Sequence, residues 1–210
     1  MRKKLIKWAQ FLLLVVSASP LSSTHSELSF QKEKNNVLTL DFRGPINNAS
    51  FDYFNRALTH ARIHGNPALL VEMDSLGGFT SSVQELVPLI LSSDIPVLLW
   101  VTGESGQAAS SALFVALSSH MLFMHPSATL GDRPENRDLA PSRTLRLDSE
   151  ARAYLGIISK KRKRQNDWIY TFIRQGEFFG AQKALEQDMI DGIAATREEI
   201  WSAAQTRFPD

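Results

Sequence analysis

The sequence predicts an α/β domain with a mainly parallel sheet and flanking helices. From about residue 36 onward, short apolar segments alternate with helical patterns. Residues 95–101 (IPVLLWV) are typical of a buried strand, because their β-branched and aromatic side chains are unbroken by charge. Residues 80–91 show the helical pattern that follows such strands. Strand–helix alternation of this kind is typical of a parallel sheet with crossover helices.

The individual elements follow from the same patterns. Strands are predicted at residues 37–42, 68–73, 97–101 and 121–125. Helices are predicted at residues 51–63 and 80–91, directly after Ser110, and from Arg197 onward. A long helical pattern, broken or bent, is predicted from residue 148 to about residue 173. Ser50 is a suitable N-cap for the helix that begins at residue 51. Residues 134–144 are polar and contain two prolines, which predicts a loop over the site described below.

The N-terminus carries the pattern of a secretory signal. Residues 1–19 join a positively charged start to a short apolar core, and Val16-Ser17-Ala18 is one candidate cleavage site. The apolar core is shorter than the roughly 20 residues that span a bilayer, so we expect a signal peptide or a short N-terminal anchor. Residues 20–35 are predicted to form a linker and residues 36–210 the folded domain. In a bacterium, such a domain is expected in the periplasm or anchored to the outer face of the inner membrane.

Composition favours one domain and excludes a general affinity for nucleic acid. The chain has 210 residues, of which 43% are hydrophobic and 21% charged, enough for a sizeable core. The net charge of +1 creates no global field that would attract nucleic acid. Residues 160–164 (KKRKR) form a basic run, which we interpret as a solvated helix face rather than a lipid or nucleic-acid contact. The chain has no cysteine, which is compatible with an oxidising compartment.

Ser110 occupies the position that an acyl-transfer nucleophile needs. It follows the predicted strand at residues 97–101 and a short turn, and precedes a helix of small and apolar residues. A serine at such a junction holds its hydroxyl at the sheet edge, beside the unpaired N–H groups of the first helical turn. The N–H of Ser111 is then available to a developing oxyanion.

Gly77 and Gly78 supply a second half to this site. They lie between the predicted strand at residues 68–73 and the predicted helix at residues 80–91. Glycine permits positive φ angles and lets a substrate approach the backbone closely. A Gly-Gly turn alone is compatible with an ordinary βα connection, but it becomes informative when a serine elbow follows on the next strand.

These segments resemble the ClpP/crotonase superfamily. Residues 74–78 (DSLGG) resemble its D/N-S/T-P-G-G oxyanion loop, with Leu76 in place of the usual proline. Residues 106–110 (GQAAS) resemble the nucleophile segment of ClpP and of NfeD-type membrane-associated proteases. Residues 180–191 resemble the S-A-x-E-A-x-x-x-G-L-I-D tail of these proteases. The likeness covers about residues 37–195 and is nearer to NfeD-type and SppA-type proteins than to cytosolic ClpP.

The resemblance implies a fold of repeated ββα and βα units and a set of site residues. It implies Ser110 as the nucleophile, and an oxyanion hole formed around Gly77, Gly78 and Ser111. It does not supply a general base. The histidine of ClpP would fall at Asp132 and its aspartate near Gly176, whereas the lysine of NfeD-type and SppA-type enzymes would fall near Arg146. Arginine stays protonated at any working pH and cannot abstract a proton.

Other candidates for the base lie elsewhere in the chain. Lys160 and Lys161 stand at roughly the separation from the serine seen in SppA-type enzymes, and neighbouring cations lower the pKa of a lysine. A solvated helix face remains the favoured interpretation of both. The strand histidines, His120 and His125, are interpreted as structural. His60 and His64 have i, i+4 spacing but no third ligand nearby, so neither a metal nor a cofactor is predicted.

The resulting hypothesis is an exported serine peptidase that hydrolyses polypeptide through Ser110. Self-association is implied by the resemblance, and association with the membrane through the N-terminal segment by the signal-like start. Nucleic acid is not an expected partner. One alternative is a catalytically inactive scaffold that binds a peptide strand without cutting it. Another is thioester chemistry of the crotonase kind, against which export and the serine at the nucleophile position both count.

Overall fold

A computed structural model describes residues 37–131, 141–164 and 178–209, with side chains omitted at residues 141–151. The predicted signal segment and linker lie outside this description, as do Asp132 and Gly176. Two sheets and six helices make up the described part. The fold is α/β with a mainly parallel sheet, as the sequence predicts.

The larger sheet has five strands in the order β1-β2-β3-β5-β8, and all its neighbours are parallel. The smaller sheet has the order β4-β6-β7, with β4 parallel and β7 antiparallel to β6. The strands are β1 Leu38–Arg43, β2 Leu69–Asp74, β3 Val97–Val101, β4 Gln107–Ala109, β5 Met121–Met124, β6 Thr129–Gly131, β7 Phe178–Gly180 and β8 Gly192–Ile193.

The helices are α1 Asn48–Ile63, α2 Thr80–Leu91, α3 Ser111–Ser118, α4 Pro141–Arg162, α5 Ala181–Glu186 and α6 Arg197–Arg207. In α1 the buried residues Phe54, Ala57, Leu58 and Ala61 recur at i, i+3, i+4 and i+7, which is the pattern of one helix face. The bounds of α2 and β3 match the sequence prediction at both ends.

Two local predictions are wrong. Asn47, not Ser50, is the N-cap of α1; Ser50 is the third helical residue, and its hydroxyl accepts from the Asn47 N–H in a capping box. The predicted loop at residues 134–144 is helical from Pro141 onward, because proline is tolerated in a first turn. The long helical pattern predicted at residues 148 to about 173 is broken after Arg162, where Lys163 takes a left-handed φ of 56°.

The large sheet separates two apolar clusters. Alternate residues of β2, such as Leu69 and Val71, face the cluster formed with α1, α2 and α3. Leu70 faces the opposite side, where Trp100 and Ile200 belong to a smaller cluster covered by α6. Because helices cover both faces, the strands are apolar almost without interruption.

Two arginines fix the end of α4. The Arg162 guanidinium donates to the carbonyls of Ser118 (2.7 Å) and Ile90 (2.8 Å), at the last turns of α3 and α2. Arg164 pairs with Asp191 at 2.8 Å, and both side chains are largely buried. Burial lowers the pKa of Arg162 to about 10, so it stays charged at neutral pH. These contacts place the basic run at the C-terminal ends of α3 and α2.

His120 joins β3 to the start of β5. Its Nδ1 accepts the Val97 N–H at 3.0 Å, which requires that nitrogen to be unprotonated. Burial lowers the pKa of His120 to about 4, and the positive charges of Arg162, Arg207 and Lys161 act in the same direction.

The depressed pKa of His120 predicts a loss of stability in mild acid. As pH falls below about 6.5, His120 of the unfolded chain binds a proton, whereas His120 of the folded chain does so only near pH 4. The free energy of unfolding therefore decreases across that window. In His120→Asn the amide oxygen can accept the Val97 N–H without titrating. Urea unfolding at pH 7.5 and 4.5 should therefore show a smaller decrease for the variant than for the wild type. Equal decreases would show that His120 does not carry the effect.

None of the helices in the described residues combines the length and the apolar character that a membrane span requires.

Candidate active site

Ser110 forms a sharp elbow between β4 and α3. Its backbone has φ 52° and ψ −125°, a conformation that residues with a Cβ rarely adopt. Two hydrogen bonds hold it there: the Ser110 N–H donates to the Gly131 carbonyl at 2.7 Å, and the Leu113 N–H donates to the Ser110 carbonyl at 3.1 Å. Non-glycine residues in such conformations cost roughly 1–3 kcal/mol and cluster at functional sites. The elbow therefore marks Ser110 as a functional candidate.

The Ser110 hydroxyl and the Ser111 N–H have no hydrogen-bond partner among the described residues. Ser110 is half-buried, and its side chain does not cap α3. Ser111 is the first residue of α3, so its N–H lacks an acceptor within the helix. A nucleophilic oxygen and a main-chain donor thus lie on adjacent residues at the positive end of a helix.

The segment after β2 is fixed to the same elbow. The Asp74 carboxylate accepts the Gln107 N–H at 3.0 Å. The Ser75 N–H donates to the Gln107 carbonyl at 2.7 Å, and the Ser75 carbonyl accepts the Ala109 N–H at 2.9 Å. Ser75 and Ala108 form a parallel bridge. The loop that follows Ser75 is therefore held next to β4 and the start of α3.

Gly77 is required where this loop meets the elbow. Its φ is +92°, which favours glycine over any other residue. A Cβ at Gly77 would lie 3.0 Å from the Ser111 nitrogen and 3.1 Å from the Ala109 carbonyl oxygen. The backbones of the two segments are thus in direct contact, and the loop and elbow that the sequence pairs are brought together.

The amides of Gly77 and Gly78 both have a hydrogen-bond partner within the chain. The Gly77 N–H donates to Ser75 Oγ at 3.2 Å, and Ser75 Oγ itself donates to the Gly44 carbonyl at 2.7 Å. The Gly78 N–H donates to Ser111 Oγ at 2.8 Å. The Gly77 contact is long for a hydrogen bond, so an oxyanion can compete for that donor more easily than for the Gly78 N–H.

The hydroxyls of Ser75 and Ser111 are the parts of this site that sequence reasoning missed. Ser75 stands in the DSLGG segment and is almost completely buried, at 1% exposure. Its position inside the loop motif was the available signal, because serine hydroxyls commonly bond backbone N–H groups two residues on. The Ser111 hydroxyl bonds across 33 residues, and only the tertiary structure reveals such a contact.

Lys160 and Lys161 are not brought to Ser110. Both are exposed near the end of α4, where the adjacent Arg162 bonds the Ser118 carbonyl at the last residue of α3. Ser110 precedes the first residue of that eight-residue helix, and eight residues of α-helix span about 12 Å. The structure thus places the basic run at the opposite end of α3 from the nucleophile.

The remaining titratable candidates occupy other places. His125 Nδ1 lies 2.8 Å from Ser127 Oγ, a local contact, and His120 is the structural acceptor described above. Arg146 lies in α4, with its side chain outside the described residues. His60 and His64 stack at 3.9 Å between ring centroids. Among the residues described, no group of three or more His, Cys, Asp or Glu side chains could hold a metal ion.

Solved structures similar to this chain include proteases. The chain matches ClpP1 from Listeria monocytogenes with a TM-score of 0.61 and 14% identity, over 77% of this chain and 94% of the other, which supports the fold. It also matches a mutant of the 1510-N membrane-bound stomatin-specific protease, with a TM-score of 0.72 and 25% identity, over 82% of this chain and 86% of the other. A second variant of that protease, solved in complex with a substrate peptide, matches with a TM-score of 0.72 and 26% identity, over 82% of this chain and 81% of the other.

The predicted resemblance to ClpP-like serine proteases of the NfeD type is confirmed by these similarities. The sequence is similar to the membrane-bound protease PH1510 of Pyrococcus horikoshii, with 26% identity over 197 residues. That match covers 90% of this chain but 42% of the relative, so the chain spans less than half of the relative's length. No family model matches the chain.

Proposed function

We propose that this chain is an exported serine peptidase that hydrolyses polypeptide through Ser110. The observation that carries the proposal is the strained elbow, which presents a hydroxyl without a hydrogen-bond partner in the described residues, next to Ser111, whose backbone nitrogen is in contact with the Gly77 loop. A backbone held at φ 52° in a residue other than glycine needs a reason, and nucleophile presentation is one. The similar proteases described above support the same reaction class.

The proposed reaction begins with attack of Ser110 Oγ on the scissile carbonyl carbon, while a base takes the hydroxyl proton. The carbonyl oxygen becomes an oxyanion, stabilised by the N–H groups of Ser111 and Gly77. One such donor lowers the barrier by roughly 3–4 kcal/mol. Collapse of the intermediate breaks the C–N bond, the amine leaves with a proton, and water then hydrolyses the acyl-enzyme at the same carbon.

We infer that the base is supplied by a residue outside the described part of the chain, or by a second copy of the chain. Lys160 and Lys161 are exposed at the far end of α3, and the guanidinium of Arg146 cannot accept the proton. We further propose self-association, and a periplasmic or membrane-anchored location through the N-terminal segment. The relative's description as membrane-bound supports the second of these.

The test is labelling by a fluorophosphonate probe, followed by peptide mapping. We expect one phosphonylated residue, Ser110, and a loss of labelling of at least about a thousand-fold in Ser110→Ala, since the nucleophile carries the covalent step. The double variant Lys160→Ala, Lys161→Ala is the control and should label at the wild-type rate. Absence of labelling in the wild type between pH 6 and 10 would refute the peptidase.

A catalytically inactive peptide-binding scaffold is the second candidate. The observation in its favour is that the amides of Gly77 and Gly78 are already bonded to the hydroxyls of Ser75 and Ser111. A scaffold would bind an unlabelled peptide with the same affinity in the wild type and in Ser110→Ala, and neither protein would cleave it. Turnover by the wild type excludes this candidate.

A further inference from the structure

We propose that the side-chain hydroxyl of Ser111 is a positioning group, which holds the Gly77-Gly78 loop in register with the Ser110 elbow. The inference rests on the proposed function, but it assigns a new role. The Ser111 N–H is a donor to the oxyanion, whereas the Ser111 hydroxyl acts on the loop that supplies the other donor.

The contacts of this hydroxyl bridge the two halves of the site. Ser111 Oγ accepts the Gly78 N–H at 2.8 Å and lies 3.3 Å from the Gly78 carbonyl oxygen, to which it is placed to donate. It therefore bonds both polar groups of one backbone residue, 33 positions away in the sequence. Two bonds to one residue restrict both the translation and the rotation of that residue.

The same hydroxyl packs against the proposed donor. A Cβ built on Gly77 would lie 2.8 Å from Ser111 Oγ and 3.0 Å from the Ser111 nitrogen, so the loop passes directly over Ser111. The other bonds of the loop are made through Ser75 and Ile46: the Ser75 hydroxyl bonds the Gly44 carbonyl, and the Ile46 N–H donates to the Gly77 carbonyl at 3.1 Å. These two contacts fix the loop to the segment that follows β1, and the backbone bonds of Ser75 described above fix the start of the loop to β4. Only the Ser111 hydroxyl, among the described side chains bonded to Gly77 or Gly78, belongs to the helix that directly follows the nucleophile.

The bond between the Gly78 N–H and Ser111 Oγ affects the reaction because it helps to determine where the loop places its oxyanion donor. An oxyanion donor is effective when it is already placed at the position of the developing charge, and a displacement of about 1 Å is costly. Without the Ser111 hydroxyl, the exposed Gly78 amide turns to water and the loop gains freedom relative to α3. The Gly77 N–H then has to be reoriented during the reaction, which lowers the rate of the chemical step more than it weakens substrate binding.

The experiment compares Ser111→Ala, Ser111→Thr and Ser118→Ala. Ser118 is the matched control, because it lies on the same helix and its hydroxyl bonds only a local carbonyl, that of Val115, at 2.7 Å. We expect Ser111→Ala to lower kcat and the fluorophosphonate labelling rate by about ten-fold to a hundred-fold, with KM changed less than about three-fold. Ser111→Thr retains the hydroxyl and should recover most of the rate, and Ser118→Ala should match the wild type.

Amide hydrogen exchange gives a readout that does not depend on activity. Gly78 is exposed and its N–H donates to Ser111 Oγ, so we expect that bond to protect the amide from exchange and Ser111→Ala to accelerate exchange at Gly78 by at least about ten-fold. Unchanged exchange at Gly78, or unchanged labelling in Ser111→Ala, overturns the positioning role and leaves the peptidase proposal intact. A wild-type chain that does not label refutes the peptidase, and the positioning role with it.

Discussion

Replacing Ser110 by glycine is expected to make the protein more stable and inactive at once. The Ser110 backbone, at φ 52° and ψ −125°, suits glycine and strains any residue with a Cβ. Relief of that strain is worth roughly 1–3 kcal/mol, against less than about 1 kcal/mol lost to the greater freedom of glycine in the unfolded chain. We therefore expect the free energy of unfolding to rise by about 1 kcal/mol.

The matched control for this experiment is Ser110→Ala. Alanine removes the same hydroxyl but keeps the Cβ, so the strain stays. Urea denaturation should rank Ser110→Gly above both Ser110→Ala and the wild type, and neither variant should be labelled by fluorophosphonate. If glycine proves less stable than alanine at this position, the elbow is not strained in solution and the main argument for a nucleophile fails.

Adding a methyl group at Gly78 should disrupt the loop. A Cβ there would overlap the carbonyl oxygen of Ile46 and lie 2.6 Å from the Ile46 nitrogen, and these backbone atoms cannot rotate away as a flexible side chain can. Gly78 also forms a parallel bridge with Ile46. Relief of the overlap therefore requires the loop to move away from the segment after β1 and to break that bridge. We expect Gly78→Ala to lower the free energy of unfolding by roughly 2–3 kcal/mol and to abolish labelling of Ser110.

Gly156→Ala provides the comparison. Gly156 lies inside α4, and a Cβ there meets no atom within 4 Å, so alanine should stabilise the helix by roughly 0.5–1 kcal/mol and leave labelling unchanged. Thermal unfolding and labelling of the two variants, measured side by side, test whether the effect at Gly78 arises from the contact with Ile46. Equal stabilities of the two variants would contradict it.

The main elements were predictable because they follow from the alternation of apolar strands and amphipathic helices. The bounds of α2 and β3 match the sequence prediction at both ends. The helical pattern begins at Thr80 and ends at Leu91, and residues 97–101 are uniformly apolar. The strands β4, β6, β7 and β8 were not predicted. Each has two or three residues, too few for a pattern of period two, and each is a strand only because a partner pairs with it.

The amino-acid sequence alone determined the α/β class, the serine between strand and helix, and the glycines that a close backbone contact needs, because these depend on local residue type and spacing. Only the tertiary structure decided which groups meet. It placed Gly77 against Ser111, bonded the Gly78 amide to the Ser111 hydroxyl, and put Lys160 and Lys161 at the far end of α3. Contacts between residues 33 or more positions apart depend on strand order and helix packing, and no local pattern of the chain encodes them.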